Sequence, residues 1–183
     1  MKSLQGQILI ASHELEDPNF FRSVVLVVEH NDDGAMGVIL NRPTDTPIAD
    51  AWDQVFQSDC SCQGLLHQGG PCDGPLMVLH DQPLVSQVTI ANHVHFSTDK
   101  DNIKWLVEHA SDPLKFIVGY ASWGAGQLED ELTTDSWLVV PASCERVFYN
   151  DTRQWDELTK AVGREAMYRQ LNIKHIPKDP SRN

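Results

Sequence analysis

Four cysteines and eight histidines are the side chains whose spacing could do chemistry. Cys60-x-Cys62-x4-His67-x4-Cys72 is one residue short of a zinc-knuckle spacing, in which two residues between the first two cysteines let the turn aim both thiolates at one ion. The nearby Gly64-Leu65-Leu66 carries apolar side chains that want a strand, and Cys72, after Gly70-Pro71, reads equally as a small buried hydrophobe. His93-x-His95 would place two imidazoles on one strand face, and His80-Asp81 could add a third ligand. Nothing in the sequence brings the two segments together, and the polar face of a half-exposed strand accounts for His93 and His95 without a metal. No metal or other cofactor is therefore expected.

Nucleophile and nucleotide patterns fail on geometry too. Ser122 follows a predicted strand, but Gly119-x-x-Ser122-x-Gly124 is not the G-x-S-x-G of a nucleophile elbow, and only His175 follows the serine in the chain. Gly124-Ala125-Gly126-Gln127-Leu128-Glu129 supplies two glycines of a dinucleotide fingerprint and puts glutamate where the close-packing glycine is needed. It reads as a glycine-jointed turn followed by carboxylates in a helical first turn, where they suit the helix dipole.

Three segments supply polar side chains, glycines or both: Asn41-Arg42-Pro43, Gly69-Gly70-Pro71 and Trp123-Gly124-x-Gly126-Gln127-Leu128-Glu129. Gathered at one rim, they would make a ligand site. Gly69, Gly70, Gly124 and Gly126 would let backbone amides approach, Arg42 would offer a fork to a carboxylate or phosphate, and Asn41, Gln127 and Glu129 would add directional bonds beside Trp123. In the blander reading they only build tight turns, with Arg42 paired to a local acid such as Glu129. His80 and Glu129 are the available acid/base candidates, with no partner set by spacing.

The elements that must position these residues read as follows. Val24 to Val28 is a β-branched strand buried on both faces, and Ala35 to Leu40 follows the turn residues Asn31 to Gly34 as the second arm of a hairpin. Thr46 can cap a helix with Pro47 at its first position and Ile48, Trp52, Val55 and Phe56 as its stripe. Leu76 to His80 is a strand, and Gln87 to Phe96 has a period of two, with Val88, Ile90, Val94 and Phe96 on one face and Thr89, Ala91, His93 and His95 on the other. Asp99 opens a helix on Ile103, Leu106, Val107 and Ala110, and Pro113 ends it before the strand Leu114 to Tyr120. Trp137 to Val140 is another strand, and Ser143 can cap a last helical region carrying Trp155, Leu158, Val162 and Ala166. Strict βαβ alternation is absent, which predicts a mixed-sheet α+β fold. Residues 1–176 read as one domain and 177–183 as a flexible polar tail.

At 183 residues, 41% hydrophobic and 22% charged, the composition excludes disordered, collagen-like and disulfide-dense classes. Ile8 to Ala11 is too short for an export-signal core, Val24 to Val28 is too short to span a bilayer, and four thiols suit a reducing compartment. A cytoplasmic location is expected.

The chain resembles the YqgE/AlgH family of mostly bacterial proteins. The resemblance rests on Gly6 to Ala11 running through Asp17, Phe20, Arg22-Ser23 and Glu29-His30 to Gly34-Ala35-Met36-Gly37 and Asn41-Arg42-Pro43; on Gly69-Gly70-Pro71 to Leu79-His80; and on Tyr120, Trp123-Gly124, Gly126-Gln127-Leu128-Glu129 and Trp137. It implies a bifurcated mixed sheet folded into a pseudo-barrel with flanking helices, and no particular activity. Ser12-His13, Cys72 and Ser122 depart from the family pattern, which weakens metal and nucleophile roles for the last two. A non-catalytic binding or regulatory module, for a small polar ligand or a protein partner, is the leading expectation. The alternatives are an enzyme using His80 and Glu129, and a transcriptional regulator acting indirectly, as some members are labelled.

A net charge of -12 repels phosphate backbones and anionic membranes, which argues against nucleic acid as a partner. Fluorescence anisotropy with duplex DNA is expected to show no micromolar, salt-sensitive binding; tight binding that weakens steeply with salt would contradict this.

Overall fold

A computed structural model describes residues 3–57, 60, 62–109, 113–149 and 152–170. The expected tail 177–183 and Ala110 lie outside the described residues, as does the side chain of Ala166. Among the described residues, ten strands join in one sheet that curls strongly into a half-barrel flanked by helices, an α+β pseudo-barrel. In chain order they are β1 (Gln7–Ala11), β2 (Val24–Asn31), β3 (Gly34–Ile39), β4 (Pro43–Pro47), α1 (Ile48–Phe56), β5 (Leu65–Gln68), β6 (Cys72–His80), β7 (Val88–Ala91) and β8 (Val94–Ser97). There follow α2 (Lys100–His109), β9 (Leu114–Gly124), α3 (Gln127–Thr133), β10 (Trp137–Pro141), α4 (Cys144–Val147) and α5 (Gln154–Gln170).

Strand alternation assigns the faces. Ile8, Ile10, Val24, Leu26, Met77, Leu79 and Ile117 pack on one side with Val147 and Trp155 of α4 and α5. The intervening Leu9, Val25 and Val27 face the other side, against Leu128 of α3, while Val78 and Phe116 meet Ile48, Trp52 and Leu106 of α1 and α2. β2 is thus buried on both faces, as its run of branched residues predicts. Trp155 ties α5 to the sheet, its indole N–H donating to the Ala11 carbonyl at 2.7 Å.

The main path runs β10-β1-β2-β3-β9-β6-β8-β7, and β9 is where it branches. Along one edge β9 pairs antiparallel with β6. Along the other its Ala121–Gly124 stretch pairs with β3, while Ile117 and Val118 pair parallel with His67 and Gln68 of β5, respectively. Gly69 sits in the angle, its N–H donating to Val118 and its carbonyl accepting from Ile39. The chain then crosses the face of β9 to reach β6 on the opposite edge, and it does so backbone on backbone. A Cβ on Gly70 would run into Tyr120 and Ala121 main-chain atoms, and one on Gly69 would meet the Gly119 carbonyl, far inside any real contact. Only glycines fit that crossing.

Several expectations shift. The α1 helix starts one residue later than predicted, because Thr46 stays in β4 and Pro47, extended at φ -60, takes the N-cap place without a side-chain bond. β9 continues to Gly124, so Trp123-Gly124 belongs to a strand and not to the loop after one. The hairpin over 87–96 keeps its predicted apolar face, but His93 sits in the turn at φ 57 and His95 is buried, so the two imidazoles do not share an open face. Ser143 does cap a helix, accepting from Arg146 N–H, although the last helical region divides into α4 and α5.

Replacing Gly70 by Ala is expected to destabilise the fold by at least ~3 kcal/mol, because rigid backbone cannot yield as a side chain would. Urea unfolding of Gly70→Ala beside Gly163→Ala, at a helical position where a Cβ would meet nothing, measures it; equal midpoints would refute a steric role for the crossing.

Candidate functional site

The three segments do not converge on one rim, although the first two are neighbours: the Arg42 carbonyl accepts Gln68 N–H at 2.9 Å, next to Gly69. Gly34 of β3 pairs with Gly124, so Trp123 to Glu129 sits at the beginning of β3, whereas Asn41 and Arg42 lie beyond its far end, roughly 20 Å away at strand rise. Gly69 and Gly70 are buried between them. His80 pairs with Leu114 at the start of β9 and Glu129 follows its end, so these acid/base candidates stand roughly 30 Å apart.

Near Gly124 the polar groups hold one another. Gln127 accepts the Gly124 N–H at 3.0 Å through Oε1 and donates to Glu131 through Nε2. Glu131 Oε2 accepts both indole N–H groups, of Trp123 at 3.0 Å and Trp137 at 2.8 Å, with Phe20 stacked on Trp123. Gly126, left-handed at φ 75, turns the chain into α3. His30 Nδ1 accepts the Leu4 N–H, leaving its proton on Nε2, which lies 2.7 Å from Glu129 Oε1 but off the line of a well-aligned hydrogen bond. Glu129 thus faces His30, not Arg42. Glu131 escaped sequence reading because nothing in its spacing marks it as the acceptor for two tryptophans.

At the other end Asn41 closes a clamp. Its Oδ1 accepts Val24 N–H at 2.9 Å and its Nδ2 donates to the Arg22 carbonyl at 2.8 Å, holding Arg22 at φ 52. Arg42 reaches the Phe21 carbonyl at 3.4 Å; burial lowers its pKa, with Asp17 opposing. His80 is fully buried, accepting Gln82 N–H on Nδ1 and lying 3.1 Å from Ser97 Oγ, which donates to the Val85 carbonyl. Burial, then the neighbouring His95, pushes its pKa down to about 4.

What the fork does open is a cleft of about 300 Å³, lined by the end of β3, the start of β9, β5 and the chain at Tyr149 and Thr152. Because β3 leaves β9 at the fork, the Leu40 carbonyl has no strand partner there. Lys115, 3% exposed, supplies it: Nζ donates to Leu40 O at 3.1 Å and to Tyr149 O at 3.2 Å. Burial alone lowers the ammonium pKa to about 8. His67 pairs with Ile117 across the parallel ladder, and Ile117 shares a strand face with Lys115, so the pleat sends both basic side chains the same way. The buried His67 Nδ1 makes no well-aligned hydrogen bond, and burial followed by the charge of Lys115 lowers the imidazole pKa to about 4, with main-chain hydrogen bonds at Leu65 and Phe116 opposing. Spacing marks His67 only as a neighbour of Cys60, Cys62 and Cys72, and Lys115 only as a lysine inside an apolar strand; neither reveals that the strand forks beside them.

Among the described residues, no three His, Cys, Asp or Glu side chains form a metal-holding group, and no helix is long and apolar enough to cross a membrane.

A forked half-barrel with a basic cleft in the fork defines an α+β class with known relatives. The family model described as AlgH-like, DUF179, matches residues 8–167. A UPF0301 protein of Idiomarina loihiensis is 36% identical over 173 residues, 89% of this chain and 93% of the relative. One from Chlorobaculum tepidum is 33% identical over 188 residues, covering 97% and 95%. The solution structure of the AlgH protein from Pseudomonas aeruginosa superposes with a TM-score of 0.72 at 28% identity over 97% of each chain. The chain belongs to the AlgH-like family.

The histidines set an acid limit. With folded values of about 4 against 6.5, His67 and His80 take up protons first in the unfolded chain, so their contribution is complete above pH 6.5 and is lost as pH falls toward 4. For fully buried His80 the loss from pH 7 to pH 5 is roughly 2 kcal/mol. Urea midpoints at the two pH values should show it, and His80→Asn should flatten the dependence; an unchanged slope would contradict it.

Proposed function

We propose that this chain is a non-catalytic binding module whose ligand seat is the cleft in the fork, where a small polar molecule is held against Lys115 and His67. The observation that supports this most is the buried ammonium of Lys115, with no carboxylate among the described lining residues, in a cleft large enough for a small molecule. Elsewhere Asn41 and Gln127 are hydrogen-bonded internally and Glu129 is set against His30, and the separation of His80 from Glu129 favours binding over acid/base catalysis. A protein partner is the second reading, favoured by Phe21, 61% exposed beside Arg22. A regulatory effect on transcription would then be indirect, given the net charge of -12. Cytoplasm is the proposed location, where free thiols persist.

Amide chemical-shift mapping with a library of small polar fragments tests the seat. Binders are expected to move the signals of Leu40, His67, Lys115 and Tyr149. Binders that instead move Gly124 to Glu129, or none that move the cleft, would overturn the assignment.

A further inference from the structure

The chemistry of the cleft narrows the ligand. Lys115 is its charged group: His67 is held neutral, and among the described lining residues there is no carboxylate, in a chain with 26 acidic residues. Among the described residues no acid raises the pKa of the ammonium, which burial lowers. The charge on Lys115 therefore lacks a counterion among the described residues. Two of its three N–H groups are accounted for by Leu40 and Tyr149, which leaves one donor. His67 Nδ1, which makes no well-aligned hydrogen bond, adds a second position, a donor in one of its tautomers. The rest of the wall is largely apolar, with Leu40, Ile48, Leu114 and Phe116 among its members.

Resting on the binding-module reading, we propose that the fork cleft takes a small organic monocarboxylate, its charged end against Lys115 and His67 and its apolar body against Leu40, Ile48, Leu114 and Phe116. A carboxylate restores the missing counterion, and its two oxygens offer acceptors to these two positions. A single ammonium balances a single negative charge. A phosphate dianion would leave a net negative charge inside a chain that already carries -12. An amide of the same shape offers an acceptor but no charge, so Lys115 would remain buried and uncompensated beside it.

Isothermal titration with 4-methylpentanoate, butyrate and benzoate, each beside its primary amide, tests the class, with chemical-shift mapping locating the site. At pH 6.5 at least one acid should shift the cleft signals and bind at least ~10-fold more tightly than its amide. The preference should collapse as pH rises past the Lys115 value of about 8, with acid affinity at pH 9.5 down at least ~10-fold, because the neutral amine no longer needs a counterion. Lys115→Met should abolish the preference; if that variant fails to fold, the acid–amide comparison and its pH profile in the unaltered chain still decide. Amides that match the acids in the cleft, inorganic phosphate that outcompetes them, or acid binding unmoved by pH would overturn the monocarboxylate and leave the binding module standing. A cleft that responds to no acid, no amide and no fragment would overturn both.

Discussion

The crossing of Gly69-Gly70-Pro71 over β9 is the constraint on which the architecture depends. β5 and β6 lie on opposite edges of one strand yet are joined by three residues, so the chain must pass directly over the backbone of Tyr120 and Ala121. That route inserts Gly69 between β3 and β9, where it bonds to Ile39 on one side and Val118 on the other. β3 is thereby displaced from the first half of β9. The fork is thus produced by where the chain crosses, and the cleft is the space that the displaced strand leaves open.

A fork in a sheet has a cost in unpaired backbone. Beyond Gly69 the end of β3 has lost its neighbour, and an unsatisfied Leu40 carbonyl would cost about 1–3 kcal/mol if buried without a donor. Lys115 removes that cost and satisfies Tyr149 as well. As a stabilising device it is a poor choice, since a desolvated ammonium with no opposite charge among the described residues carries an effective penalty of several kcal/mol; a neutral donor of similar reach would satisfy the same carbonyls at less cost. The other end of β9 shows the contrast. There a carboxylate, Glu131, accepts from two indoles and from Gln127, so its oxygens are engaged by neighbouring donors. The same half-barrel has a charge enclosed by hydrogen bonds at one end and a charge left one bond short at the other.

Local pattern made much of this legible. The β2–β3 hairpin, the two-sided burial of Val24 to Val28, the helix opened by Asp99 and the Ser143 cap depend on residues within a few positions of one another, and all appear in the structure. Resemblance supplied the bifurcated pseudo-barrel, which periodicity could not. What stayed hidden depends on long-range pairing. Ile8 to Ala11 is four apolar residues without turn signals, and only pairing with β2 and β10 makes it a fully buried interior strand. His95 alternates as a solvent-facing residue would, yet Ser86, Thr89 and the stacked His80 enclose it. Lys115 interrupts a strand otherwise rich in apolar residues, and its meaning depends on Leu40, 75 positions away.

The residues that carry the family resemblance most specifically are also those with the least bonding capacity left. In Trp123 to Glu129 the indole, the Gly124 amide and both ends of the Gln127 amide are engaged by neighbours, and Glu129 is set against His30; Asn41 spends its carbonyl and amino groups on the loop it clamps. Such strings are specific because a joint between strand, helix and loop tolerates few side chains, which is a requirement of folding before it is one of function. A ligand needs the reverse: donors and acceptors that folding has left unused, held rigidly and screened from water. In the fork cleft those are the third N–H of Lys115 and the Nδ1 of His67, residues outside the strings that carry the resemblance, brought together because the chain crosses β9 on two glycines.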